Sequence, residues 1–189
     1  MSYVAMAEAL AQQAAERGSM IADAACRAAC AGLDATVVAP LAAAATGLGA
    51  EPAELGRRAP AFPDDQWFLT VVADIAADLV PLERLVVATG RDAQRALRAA
   101  QIASAAAMAA RPPDMAAASA AASAAADAQA GLSILSDTWG QLQTASGLLD
   151  GVPRVYEAAY EGALRVARSG VALPRDGRFL APERPRAAS

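Results

Sequence analysis

Histidine, lysine and asparagine are absent from this 189-residue chain, and aromatic residues make up only 4 % of it. Without His and Lys it holds no Ser-His-Asp triad, no Schiff-base or P-loop lysine and no His-ligated metal site. A strongly GC-biased genome, as in some bacteria, would account for the missing Lys and Asn without a functional cause, but the chemical exclusion holds either way. The two cysteines are too few for a disulfide framework. Acidic groups outnumber basic ones by 20 to 16, and a net charge of −4 argues against nonspecific nucleic-acid binding, which needs a basic surface to neutralise phosphates. The longest apolar run, residues 31–50, is broken by Asp34 and Pro40 and built mostly of small residues, so no membrane span is expected. The opening residues lack a basic region and reach Glu8 early, which does not read as a secretory signal. The chain therefore reads as cytoplasmic, with a signal-independent export route left open.

What the chain has in excess is alanine, which supplies more than half of its 56 % hydrophobic residues. Alanine is the best helix former but buries far less apolar area than Leu or Phe. High helicity with thin packing predicts an all-α fold: an elongated helical bundle built on a long antiparallel Ala-rich hairpin, completed by a flexible C-terminal tail. One all-helical domain is expected over 1–170, with N-terminal helices in 1–50, a loop in 51–64, the hairpin in 65–149 and a C-terminal helix in 150–170. Residues 171–189, rich in Pro and Arg, read as the tail.

Polar residues at Glu8, Gln12, Glu16, Ser19, Asp23 and Arg27 recur every three or four positions, and Leu10, Ala14, Gly18, Ile21, Ala25 and Ala28 fall opposite them. That spacing predicts an amphipathic helix from Tyr3 to about Ala31, stopped by Gly32. A second helix is expected from Asp34, its cap, to Thr46. A third starts at Asp64 or Asp65 and carries Phe68, Val72, Ile75, Leu79, Leu82, Val86, Thr89, Ala93, Ala96, Ala100 and Ala103 in the four-three alternation of a coiled-coil seam. The alternation stays in phase across Pro81 and Gly90, which predicts one bent helix rather than two. After the Arg111-Pro112-Pro113-Asp114 turn the same alternation resumes at Ala121, Ala125, Ala128, Leu132, Leu135, Trp139, Leu142 and Leu149. Counted outward from the turn, Trp139 comes opposite Leu85 and Val86, and Leu132 opposite a weak layer around Arg91 and Ala93.

Candidate functional residues are few. Cys26 and Cys30 lie one turn apart and, across a dimer, would offer four thiolates to zinc or a soft metal; the simpler reading is two small half-buried core residues. Asp74 and Asp78 are also one turn apart, with a solvated or partner-facing helix face the simpler reading. Arg84, Arg91 and Arg98, with Arg95, form a basic stripe suited to an acidic partner or an anionic surface, with a solvated face the simpler reading. Tyr156 and Tyr160 on the last helix, and Phe179-Leu180 in the tail, are candidate partner anchors, with core packing for the tyrosines and a plain disordered end for the tail pair the simpler readings. Residues 1–83 carry a net −7 and 84–189 a net +3, an asymmetry that would suit contact between the halves, within or between chains, with chance distribution on solvated faces the simpler reading.

Met1-Ser2-Tyr3-Val4, the alanine-rich first helix and Ala35-Thr36-Val37-Val38-Ala39-Pro40 resemble the start of mycobacterial PE proteins, secreted helical hairpins that pair with a partner. The tyrosine-based export motif of that family is missing, since no Tyr occurs between Tyr3 and Tyr156. In composition alone the helices resemble phasins, which coat storage granules. Neither resemblance assigns the chain to a family. The expected function is that of a non-enzymatic helical structural or adaptor protein, a homo-oligomer or the partner of other helices, with no cofactor and no nucleic acid. An amphipathic coat on a membrane or granule surface is the alternative, and an enzyme the least expected class.

Overall fold

A computed structural model describes residues 2–46, 57, 59–144 and 154–169. It is all-α: α1 (Tyr3–Cys30), α2 (Ala35–Thr46), α3 (Asp65–Ala109), α4 (Met115–Thr144) and α5 (Arg154–Arg168), with no strand among the described residues. The expected loop start, end of the hairpin, Pro153 turn, Gly170 cap and tail fall in 47–56, 145–153 and 170–189, outside the described residues.

Each boundary has a local cause. Gly32, at φ 97°, ends α1: its N–H donates to Ala29 and that of Leu33 to Ala28, the paired closure that a left-handed residue after a helix provides. The Asp34 carboxylate caps α2 by accepting the N–H of Thr36 and then its hydroxyl, each at 2.8 Å, and those bonds hold it below its ordinary pKa of 3.8. Of the two candidate caps for α3 it is Asp64 that acts, accepting the Trp67 N–H at 2.8 Å. Asp114 does the same for α4 through the Ala117 N–H at 2.9 Å. Pro81 lies inside an unbroken α3.

The described helices gather into two compact units, and α1, α2 and α3 contribute to both. One takes the described residues of Met1–Ser19, Ala44–Glu83 and Ala145–Ser189. Its core joins Met6, Leu10 and Ala14 of α1 to Phe68, Val72, Ile75 and Leu79 of α3, with Leu164 of α5 fully enclosed. At one edge of this core the Tyr3 hydroxyl donates to Asp65 at 2.5 Å, and its ring packs on Phe68 with centroids 6.1 Å apart.

The other unit takes Met20–Ala43 and Arg84–Thr144. Here α3 and α4 run antiparallel, and the turn after α1 packs on α4. Gly131 is buried because a Cβ there would lie 2.8 Å from the Cβ of Leu33.

The α3 seam follows its predicted phase as far as Ala93 and then departs from it. Phe68, Val72, Ile75, Leu79, Leu82, Val86, Thr89 and Ala93 are buried, but Ala96 and Ala103 are exposed; Leu97 is buried, and Ala100, Ser104 and Ala107 half-buried. A coiled-coil repeat steps by 3.5 residues while a straight helix turns every 3.6, a drift of about 20° per heptad that adds up to about one residue over the seam. Ser104, not Ala103, therefore faces α4, where its hydroxyl donates to the Ala118 carbonyl at 3.4 Å.

Candidate interaction surface on the α3 and α4 hairpin

The outer half of the hairpin is built from two charge-free runs, 99–110 and 115–126. Within these runs Ala118 alone is buried; Ala100, Ser104, Ala107, Ala121 and Ala125 are half-buried, and the rest is exposed. The exposed set includes Ile102 at 70 %, Met108 at 52 % and Met115 at 63 % of their surface. A solvated helix face ordinarily carries charge, and a face that carries none while presenting Ile and Met is the kind of surface that contacts another protein. Small side chains allow such contacts to be close, since a helix lined with Ala admits its neighbour's backbone.

Farther from the turn the hairpin opens into a groove of about 310 Å³. Helix α3 lends it Val86, Val87, Gly90, Arg91 and Gln94, and α4 lends Leu132, Leu135, Ser136 and Trp139. This is the weak layer that counting from the turn places at Arg91 and Leu132. Its cause is Gly90, which has no side chain, followed by Arg91, whose side chain is exposed. Leu132 and Trp139, seam positions by spacing, are half-buried rather than buried because the seam is open there.

The basic stripe is present as exposed Arg84, Arg91, Arg95 and Arg98 on α3. Arg95 pairs with Asp92 on the same helix. Among the described residues no carboxylate pairs with Arg91 or Arg98. Tyr156 and Tyr160 fall on α5 with their side chains outside the described set, and Phe179 and Leu180 lie outside the described residues altogether.

Two sequence readings are corrected. Cys26 and Cys30 are free and exposed rather than half-buried, since α1 turns both away from the face that carries Ala24, Ala25 and Ala28 into the core. Among the described residues no group of three or more Cys, Asp or Glu side chains converges on a point that would hold a metal ion. Asp74 is only 1 % exposed and Asp78 half-buried, so the two do not share a solvated face. Along this stretch α3 is buried on a wide arc, from Val71 and Val72 through Ile75 and Ala76 to Leu79 and Val80, and the arc takes in Asp74.

A charged cluster escaped the sequence reading. Glu83 of α3, 3 % exposed, accepts from Arg168 of α5 through Nη2 at 3.0 Å and Nε at 3.2 Å. Arg17 of α1, 4 % exposed, brings its Nη1 to 3.6 Å from the other carboxylate oxygen. The signal was available in the spacing. Arg17 sits three residues after Ala14 and four before Ile21, and Glu83 sits four after Leu79 and three before Val86, so both occupy apolar-face positions. A charge that folding must bury needs a partner of opposite sign.

Comparison of the chain with protein-family models, with curated proteins and with solved structures finds no match. No described helix is long and apolar enough to cross a membrane.

Proposed function

We propose that the chain is a non-enzymatic helical structural or adaptor protein that works by helix pairing, and that the outer half of the α3–α4 hairpin is the pairing element, first of all with a second copy of itself. The observation that carries this reading is the charge-free outer half, in which twenty-four residues bury only Ala118. Two antiparallel helices joined mainly through alanine methyls bury little apolar area against each other. A second hairpin laid against the first would cover Ile102, Met108 and Met115, and a neutral face meets its own copy without charge repulsion. Alanine seams also favour the close helix approach of a four-helix bundle.

The test is the mass of the purified chain in solution, by light scattering over a wide concentration range, beside the double variant Ile102→Glu, Met115→Glu. Both side chains are exposed, so the variant should keep its helicity. A defined oligomer that the variant loses supports the reading. A wild-type monomer throughout the range, or a variant that assembles as the wild type does, overturns it. Binding of such a monomer to anionic vesicles would move the assignment to the coat-protein class, for which the exposed arginines of α3 would supply the attraction.

A further inference from the structure

We infer that the groove between α3 and α4 is a binding site for a small amphipathic carboxylate, whose apolar body lies against Leu132, Leu135 and Trp139 and whose carboxylate meets the guanidinium of Arg91. This goes beyond helix pairing and does not depend on it, because the groove lies outside the charge-free runs.

Three observations converge. The volume of about 310 Å³ falls at the small end of ligand sites, which run from about 300 to 1,000 Å³, and suits one aromatic ring system rather than a peptide helix. Its lining is apolar apart from Gln94, Ser136 and a single formal charge, Arg91, to which no carboxylate of the described residues is paired. A lone cation at the edge of an apolar hollow selects an anion with an apolar body, since the body leaves water while the charge finds a planar, two-pronged donor. Trp139 adds a flat wall for stacking.

The third observation is Gly90 itself. Glycine inside a helix is disfavoured relative to alanine, and it is normally retained where a neighbour comes too close for a Cβ, as Leu33 does at Gly131. At Gly90 nothing lies within 4 Å of the position a Cβ would take. No contact inside the described protein requires glycine there, and what its absent side chain does is keep the groove open.

The test is calorimetric titration of the full chain with 2-naphthoate, and with uncharged 2-naphthamide as the matched neutral probe. Saturable one-to-one binding of naphthoate is expected. Arg91→Gln should weaken naphthoate by about tenfold or more, the effect of losing a charged hydrogen bond, and leave naphthamide within about twofold. Arg98→Gln, on the same stripe but outside the groove, should bind as the wild type does. Gly90→Leu should abolish binding of both probes while raising the melting temperature, because leucine favours the helix and has room to enter the groove. Gly90→Ala, the smaller change, should weaken both and also raise the melting temperature. No saturable binding at millimolar naphthoate overturns the inference. So does unchanged affinity in Arg91→Gln, or in a Gly90 variant shown to be folded by its melting curve.

Discussion

The core that joins α1, α3 and α5 and the outer half of the α3–α4 hairpin are both helical and both rich in alanine, yet they are held by different means. In the core, Ala7, Ala11, Ala14 and Ala76 are buried between large residues such as Leu10, Phe68, Ile75 and Leu79. There each alanine lets a neighbour come close, and the neighbour supplies the buried area, about 1.5 to 3 kcal/mol for a fully enclosed large side chain. In the outer hairpin alanine faces alanine, so area is scarce on both sides and helix propensity carries more of the local stability. One residue type thus serves as spacer in one region and as most of the interface in the other.

The largest effect that would test this contrast is Phe68→Ala, expected to cost about 3 to 5 kcal/mol in urea unfolding, set against Ala107→Gly in the outer hairpin at about 0.5 to 1 kcal/mol. Equal losses at the two positions would break the comparison. Next comes Glu83→Gln, which leaves the buried Arg17 facing a neutral amide and should destabilise by about 3 kcal/mol. Adding Arg17→Met should recover most of that loss, whereas a purely local effect of the glutamine would show no recovery. Gly131→Ala should cost about 1 to 3 kcal/mol by overpacking, because the new methyl would meet the Leu33 Cβ rather than a flexible chain end.

The smallest effect concerns the α2 cap. The Thr36 N–H, and then its hydroxyl, hold the Asp34 carboxyl below its ordinary pKa of 3.8. A lowered folded pKa means the cap contributes fully above the ordinary value and is lost as pH falls through the lowered one. Helicity recorded from about pH 5 to about pH 2 should show a small local loss that Asp34→Asn, itself a capping residue, does not show. An identical acid profile in the variant would remove Asp34 as its source.

Much of the architecture was legible because it rests on local physics. The helix start at Asp34, the start of α3 at Asp64 or Asp65, the stop at Gly32 and the apolar faces of α1 and α4 follow from capping and period, which act within a turn or two of the residue concerned. The weak layer at Arg91 was legible as well, since counting outward from a tight turn fixes which residues meet in an antiparallel pair. Its consequence, a groove with one cation at its edge, needed the coordinates, because spacing says what faces a neighbour and not how far the neighbour stands away.

Composition and period by themselves determined that this chain is helical, that its alanines make thin seams, and that it carries no His- or Lys-based chemistry. Only the tertiary structure decided where the alanine-faced seam is exposed, that Asp74 is buried, that Arg17, Glu83 and Arg168 meet, and that Ser104 rather than Ala103 meets α4. Helix propensity and capping depend on neighbours in sequence, whereas burial depends on which other helices arrive and at what angle. A phase error of about 20° per heptad, invisible in any one turn, is enough to hand an inward position to the next residue.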